Sequence, residues 1–510
     1  MKLSELPENW VCTTVGGIYD IVSGGTPSTK VSEYWNGDIP WITSADIHNL
    51  KDIRPRRCIN LKAIQNSATN LVPDGSLIVV TRVGLGKIAL TKIPICFSQD
   101  SQALIGDQSL ISPDYSLYYL SQAVQIFKYR HRGTTIAGVT KKQLSELVFP
   151  LSPLPEQHRI VTKIEELFTQ LDAGVGALTN TKAQLKRYRQ SVLKSACEGR
   201  LVPTEAELAR ADGRDYEPAD VLLARIQKER REKWEVEKKR NGRKSAKYKE
   251  PAAPDVSDLP ELPEGWCWTT VSAISEMIQY RTSEKAGDNP SGIPVIRMGN
   301  IQDGKLIFDK LKYFPKEWTQ LHDFLLEAGD VLFNRTNSAE LVGKTAVYEN
   351  HHPEAVFASY LIRARVNKNV YSPDLLSAFI NSLYGRQYIA SVVSQQVGQA
   401  NVNGTKLSSM SIPLPPLAEQ FRIVAEIERR LSVADETEKT IDQSLKQAER
   451  LRQSILKRAF EGKLVPQDPD DEPASVLLER IKAEKAKRGA EKKTKNKRKR
   501  KGDPKQKRLI

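Results

Sequence analysis

Cysteine is scarce in this chain: Cys12, Cys58, Cys96, Cys197 and Cys267 make an odd set of five, far apart along 510 residues. Such a set suggests neither a disulfide framework nor a zinc site, so buried or incidental thiols are expected. Histidine is also rare, and the adjacent pair His351 and His352 lacks ligand spacing and a companion Cys or carboxylate cluster, which argues against metal binding. Long apolar runs are missing too. No stretch approaches the ~20 residues that cross a bilayer, and the opening MKLSELPENW lacks the apolar centre of a signal peptide. No membrane partner is expected, and the cytoplasm is the expected location.

The folded part of the chain also lacks a charge excess. The formal net charge is +15, but residues 481–510 alone carry +12 and residues 225–250 carry +7, leaving −4 for the other 454. Bulk charge therefore does not mark the globular portion as a nucleic-acid binder; local placement of basic groups must do so. The last twenty residues, EKKTKNKRKRKGDPKQKRLI, read as a disordered tail; a nonspecific attraction for phosphate and an inert tail both stay open.

What the chain does have is a repeat. PLPEQHRIVTKIEELFTQLD from Pro153 returns as PLAEQFRIVAEIERRLSVAD from Pro416, 263 residues on, with ten of twenty positions identical. At the same offset RQSVLKSACEGRLVP from Arg189 returns as RQSILKRAFEGKLVP from Arg452. EPADVLLARIQ from Glu217 returns from Glu472 as EPASVLLERIK, and LPENWVCTTV from Leu6 returns from Leu262 as LPEGWCWTTV. Two halves of about 255 residues fill the chain.

The repeated segment reads as a long helix. Pro155 and Glu156 suit a first turn, where an amide is not missed and a negative charge meets the helix dipole. Ile164, Leu171, Leu178, Leu185 and Val192 stand seven apart, with Ile160, Leu167 and Tyr188 expected on the companion seam. In the second copy Ile427, Ala434, Ile441, Ala448 and Ile455 hold the matching seam, with Ile423 and Leu451 beside it. This is a coiled-coil face on a charged background. Gly199 and Gly462 end the helices, with Pro203 and Pro466 four residues beyond. Each helix would be about 65 Å long at roughly 1.5 Å per residue. Antiparallel packing of the two on each other is expected; the alternative is that each packs on its own globular region.

The regions between, 1–148 and 260–411, share a layout without sharing much sequence. GDIPWITSADI from Gly37 lies opposite SGIPVIRMGNI from Ser291, and PDGSLIVVTRVGLGKIAL from Pro73 opposite EAGDVLFNRTNSAELVGKTAV from Glu327. Short β-rich runs bounded by Gly, Pro and Asp predict mixed α/β domains with hairpins. The expected fold class is α+β: two mixed domains (1–148 and 260–411), two spacer helices (149–203 and 412–466), a helical basic extension with a linker (204–259), and a short helix with a polybasic tail (467–510).

With these elements in this order, twice, the chain resembles the specificity subunit of Type I restriction-modification systems. The residues that carry the likeness are the paired PLPEQHRIV and PLAEQFRIV helix starts, the paired EGRLVP and EGKLVP ends, and the GDIPWIT and GDVLFNR elements. The resemblance implies that the variable regions are target-recognition domains reading a split, asymmetric double-stranded DNA sequence, with the helices as spacer. It also implies that the helices dock two modification subunits that bind S-adenosylmethionine and methylate adenine N6, and that restriction subunits using ATP and magnesium join them. No cofactor is expected on this chain itself.

The chain's own motifs agree with a non-catalytic subunit. It has no Asn/Asp-Pro-Pro-aromatic motif to hold a target amine; PLPPLAEQ holds the one Pro-Pro and opens a helix. VGKTA at Val342 mimics the end of a phosphate-cradling loop, but Ser338 stands where the first glycine belongs. GLGKIA from Gly84 reads as a hairpin tip.

Candidates for reading DNA are polar and basic residues on strand-to-loop elements, because Arg and Lys suit guanine and Asn and Gln suit adenine in the major groove. They are Thr43, Arg82 and Lys87 in the first half, and Arg297, Arg335, Asn337 and Lys344 in the second. Arg130 and Arg132 in KYRHRGTT add phosphate donors. Two other functions stay open on the sequence: a stand-alone DNA methyltransferase or nuclease, and a coiled-coil adapter without sequence-specific DNA binding.

Overall fold

The computed structural model describes residues 6–127, 138–240, 247–257, 259–280, 285–396 and 399–501. It divides into two compact units, Met1–Leu178 with Gln443–Ile510, and Thr179–Asp442. The divisions fall inside the two long helices, Leu154–Cys197 and Leu417–Phe460, of 44 residues each. The folded unit therefore differs from the sequence repeat. Each unit takes its variable region and the first part of the helix that follows from one half, and the last part of a helix from the other.

In the first unit one antiparallel sheet runs in the order Asp20–Ser23, Ser101–Ile105, Leu77–Val80, Ile88–Leu90. A second sheet, Arg57–Ile59, Ile39–Ile42, Ile95–Phe97, Leu71–Val72, contains one parallel pair, Ile39–Ile42 with Ile95–Phe97. The opening strand Val11–Thr14 pairs with Val148–Leu151, which leads into the long helix. The second unit repeats this plan. Ser275–Gln279, Leu361–Val366, Asp330–Asn334 and Thr345–Val347 form the antiparallel sheet; Lys312–Phe314, Ile293–Ile296 and Val356–Phe357 form the mixed one. Cys267–Thr270 pairs with Ser411–Leu414. The expected GLGKIA tip closes the hairpin of Leu77–Val80 and Ile88–Leu90.

Helix segments enter each core. In the first unit Ile160, Ile164, Phe168, Ile455, Leu456, Ala459 and Phe460 pack into one apolar cluster with Tyr115, Tyr119 and Phe149 of the variable region. Phe460 meets Tyr115 and Tyr119 edge to face at 5.3 and 5.1 Å, an arrangement worth about 0.5–1.5 kcal/mol per pair beyond area burial. In the second unit Cys197 takes the place of Phe460, and Val192, Leu193, Ile423 and Ile427 join its cluster with Tyr371. The repacking preserves one bond: the Tyr115 hydroxyl donates to the Pro150 carbonyl at 2.8 Å, and the Tyr371 hydroxyl to the Pro413 carbonyl at 3.0 Å, from a different position in the sequence.

Within each unit the two helix segments run side by side, and the heptad seam from Ile164 to Val192 faces inward. The companion seam holds at Ile160 and Ile423, which are buried, and differs from expectation at Tyr188 and Leu451. Tyr188 is 41% exposed and Leu451 50% exposed. The inward positions are instead Phe168 and Arg452 in the first unit, and Lys182, Arg189 and Glu438 in the second. Lys182 pairs with Asp442 at 2.6 Å and with Glu438 at 3.4 Å; Arg189 pairs with Glu438 at 2.7 Å and with Asp435 at 2.9 Å. Arg452 lies over the Phe168 ring at 4.2 Å and pairs with Asp172. An apolar-residue search passes over this seam because its groups are charged. Their long apolar stems still cover the interface, and complementary charges at such positions fix register and orientation.

Both units are closed by the helix that follows the other half's spacer. Gly199 takes φ +65° and Gly462 φ +68°, and a Cβ there would come within 2.4 Å of Pro263 and 2.3 Å of Pro7 respectively. The Ala219 amide donates to the Gly265 carbonyl at 2.8 Å and the Ala474 amide to the Asn9 carbonyl at 2.9 Å. The helices Ala219–Arg240 and Ala474–Lys501 then run on. The second has 28 residues and extends through Lys501, where a short helix followed by a disordered tail was expected. Ala, Glu, Lys and Arg all favour helix, and no proline intervenes before Pro504; residues 502–510 lie outside the described residues.

Candidate nucleic-acid interface

Local geometry starts from an anchor that occurs in both units. The Trp10 indole donates to Glu156 Oε2 at 2.9 Å and Trp266 to Glu419 Oε1 at 3.0 Å. Gln157 Oε1 accepts from the Ser112 amide at 2.9 Å, and Gln420 Oε1 from the Ser372 amide at 2.8 Å. Each glutamine amide also donates to the carbonyl five residues earlier, Ser152 or Pro415, at 2.9 Å. A second donor completes each carboxylate: Gln467 Nε2 to Glu156 Oε1 at 2.6 Å, and the Glu205 amide to Glu419 Oε2 at 2.8 Å. All four Glu and Gln side chains are buried. Burial pushes both carboxyls above the ordinary glutamate value, against the lowering effect of these bonds. The Glu-Gln pair is thus the joint between spacer helix and reading domain, beyond the dipole role read for Glu156. Its identity in both copies was the available signal.

From this joint the strands carry the candidate residues to their loops. Thr43 caps a short 3₁₀ turn: its amide and hydroxyl donate to Asp46 Oδ2 at 2.7 and 2.8 Å. Burial of Asp46 acts to raise its carboxyl, but the Thr43 bonds and Arg56 at 2.5 Å outweigh it and hold it below the usual range. Arg297 caps the equivalent turn, its amide donating to Asn300 Oδ1 at 3.0 Å and its guanidinium to the Lys310 carbonyl at 2.7 Å. The Lys87 ammonium is held by the Ser44 and Ile47 carbonyls at 3.0 and 3.1 Å. Its counterpart Lys344 carries no such bonds.

Arg82 is exposed and lines a recess, whereas Arg335 lies over the Tyr280 ring at 5.2 Å. Asn337 accepts from the Ser338 amide at 2.9 Å. The structure thus gathers Thr43 and Lys87 around one turn, sets Arg82 apart from them, and disperses the second-half set. Arg130 and Arg132 lie outside the described residues. Sequence reading missed Arg386, whose guanidinium holds the Val342 and Glu340 carbonyls at 2.6 and 2.8 Å and so fixes the loop before Lys344. Gly343 in that loop has φ +82°, and a Cβ would meet Ile389 at 2.3 Å.

Among the described residues no group of three His, Cys, Asp or Glu could hold a metal, and no helix is long and apolar enough to cross a membrane. What each unit offers is the same strand frame with unlike polar side chains at its strand ends. Such a frame suits recognition of two different surfaces.

A twice-built frame of this kind defines a repeated specificity module. The model of the Type I restriction modification DNA specificity domain matches residues 7–186 and again 263–447, and the chain belongs to that family. The Type I restriction enzyme EcoKI specificity subunit of Escherichia coli K12 is 25% identical, with 98% of this chain and 100% of the relative covered. The StySPI specificity subunit of Salmonella potsdam is 24% identical over the same shares. Among solved structures, one from work on complex assembly and conformational transition of the type I R-M system covers 90% of this chain and 100% of its own, with TM-score 0.62 and 17% identity. The HsdS subunit of Thermoanaerobacter tengcongensis covers 90% of this chain and 98% of its own, with TM-score 0.50 and 17% identity. At these identities the two structures speak for the fold: mixed domains with long helices and an internal repeat.

Proposed function

We propose that the chain is the DNA-reading subunit of a Type I restriction-modification complex. Its two variable regions recognise two different short half-sites, and its helices dock two modification subunits and, with them, restriction subunits. The chain acts without catalysis of its own, and S-adenosylmethionine, ATP and magnesium belong to the partners. The observation that carries this reading is the recurrence of one Trp–Glu and Ser–Gln anchor in both units, with dissimilar polar groups at the strand ends. One frame with two surfaces fits an asymmetric, two-part target. The test is to express the chain with its modification partner in a host free of adenine methylation and map N6-methyladenine across the genome. A single two-part motif with a fixed gap is expected; marks without such a motif refute the reading.

A further inference from the structure

One place in the frame is open in the first unit and closed in the second. Backbone bonds align the two. The Val80 amide donates to the Lys87 carbonyl, and the Asn334 amide to the Lys344 carbonyl, both at 2.9 Å. The Thr81 carbonyl accepts from Val139 at 2.8 Å, and the Arg335 carbonyl accepts from Val402 at 2.9 Å. Thr81 and Arg335 therefore share a place, and Arg82 corresponds to Thr336. Strand register extends the match: Gln102 faces Val79, and Ile362 faces Phe333. Lys141, two residues after Val139, corresponds to Gly404, two after Val402.

In the second unit this place is filled. Tyr280 lies under the Arg335 guanidinium, and Gly404 makes room for the ring, since a Cβ there would come within 2.6 Å of it. In the first unit the same place is a recess of about 460 Å³, within the range of roughly 300–1,000 Å³ typical of ligand sites, lined by Arg82, Gln99, Gln102 and Lys141 with Ser23 and Thr81. Among the described residues no carboxylate lines it. Arg82 lies along Gly138, where a Cβ would come within 2.7 Å of its Cγ. The Gln102 Oε1 is closed to solvent and has no hydrogen-bond partner. A buried orphan acceptor is a cost in the free protein that a matching donor removes.

Resting on the DNA-reading function above, we propose that this recess is the adenine-reading site of the first unit. The Gln102 side chain turns toward the base, its oxygen accepting from N6 and its amide donating to N7. Arg82 and Lys141 hold the flanking phosphates. The second unit, plugged by Tyr280 and Arg335, reads its half-site with other groups.

The test compares methylomes of cells carrying the modification partner with the wild-type chain, Gln102→Leu, or Gln102→Glu. Gln102→Leu, which copies the apolar counterpart Ile362, is expected to relax one adenine position of one half-site by roughly 5- to 150-fold and to leave the other half-site intact. The retained half-site shows that the variant folds and assembles. Gln102→Glu keeps the shape but can only accept, and is expected to shift that position toward cytosine; it decides the matter if Gln102→Leu yields no marks and its purified chain unfolds early. Arg82→Gln and Lys141→Gln are expected to weaken binding of the purified complex and flatten its salt dependence without altering the motif. An unchanged motif in both Gln102 variants overturns the recess while leaving the two-part reading in place. Absence of any two-part motif from the wild-type chain removes the reading itself.

Discussion

The two ends of each reading domain follow opposite rules. At the helix joint, Trp10, Glu156, Gln157 and Ser112 in one unit and Trp266, Glu419, Gln420 and Ser372 in the other form the same bonds at distances within 0.1 Å of each other. At the strand ends, Thr43 stands for Arg297, Thr81 for Arg335 and Lys141 for Gly404. A recess on one side answers a plug on the other. The difference separates what must stay fixed from what can vary. The joint buries ionisable groups, which are tolerable only when every bond is made. Of the strand-end groups, Arg82 and Lys141 face solvent, where a change of side chain costs the fold little.

The sharpest way to break this comparison is at the joint. Trp10→Ala should cost the first unit about 3–5 kcal/mol, because it opens a cavity and removes a donor from buried Glu156. Trp266→Ala should do the same to the second. Denaturant unfolding gives the size and hydrogen exchange gives the place; equal loss of protection in both units after one substitution contradicts separate anchors. A smaller effect is expected in the helices. Arg189→Ala should cost about 1.5–3 kcal/mol through its charged hydrogen bonds, whereas Tyr188→Ala beside it should stay within about 0.5 kcal/mol, as exposed sites do. The reverse order would restore Tyr188 to the seam.

Two finer measurements sharpen the likeness of the frames. The Lys485 ammonium holds the Gly16 and Tyr19 carbonyls at the end of a short helix, and the Arg230 guanidinium holds the Ser272 carbonyl at 2.9 Å in the matching helix of the other unit. Lys485→Met and Arg230→Met should each cost about 1 kcal/mol, measured by thermal unfolding. The last test concerns sign. Because burial raises Glu156 above its ordinary value, the folded state holds that proton more tightly than the unfolded chain. Relative to Glu156→Gln, the wild-type chain should therefore lose stability as the pH rises from the ordinary glutamate value through the raised one, and the gap should then stay constant. A wild-type chain that gains stability relative to Glu156→Gln as the pH rises through that window contradicts the burial argument.

Much of this was legible in the chain itself. The heptad seam, the stops at Gly199 and Gly462, the hairpin at Gly84–Ile88 and the repeat of two unlike readers all rest on patterns within a few turns or strands. The charged part of the companion seam was not legible, because Arg189 and Glu438 are 249 positions apart and neither announces its partner. Nor was the one-place offset between Arg82 and Arg335, which look equivalent in sequence until the Val139 and Val402 amides, bonded to the Thr81 and Arg335 carbonyls, show which residue each frame holds.

The sequence alone determined that a reading unit was duplicated, that each copy is followed by a long helix, and that the charge excess sits outside the globular regions. These are matters of periodicity and composition, which local chemistry writes directly. Only the tertiary structure decided that each reader is closed by the other half's helix end, that the helices hold register through charge, and that one recess stays open while its twin is filled. Those outcomes depend on which side chain reaches a shared space first from a distant strand, and volume and hydrogen bonding settle that only after the chain has folded.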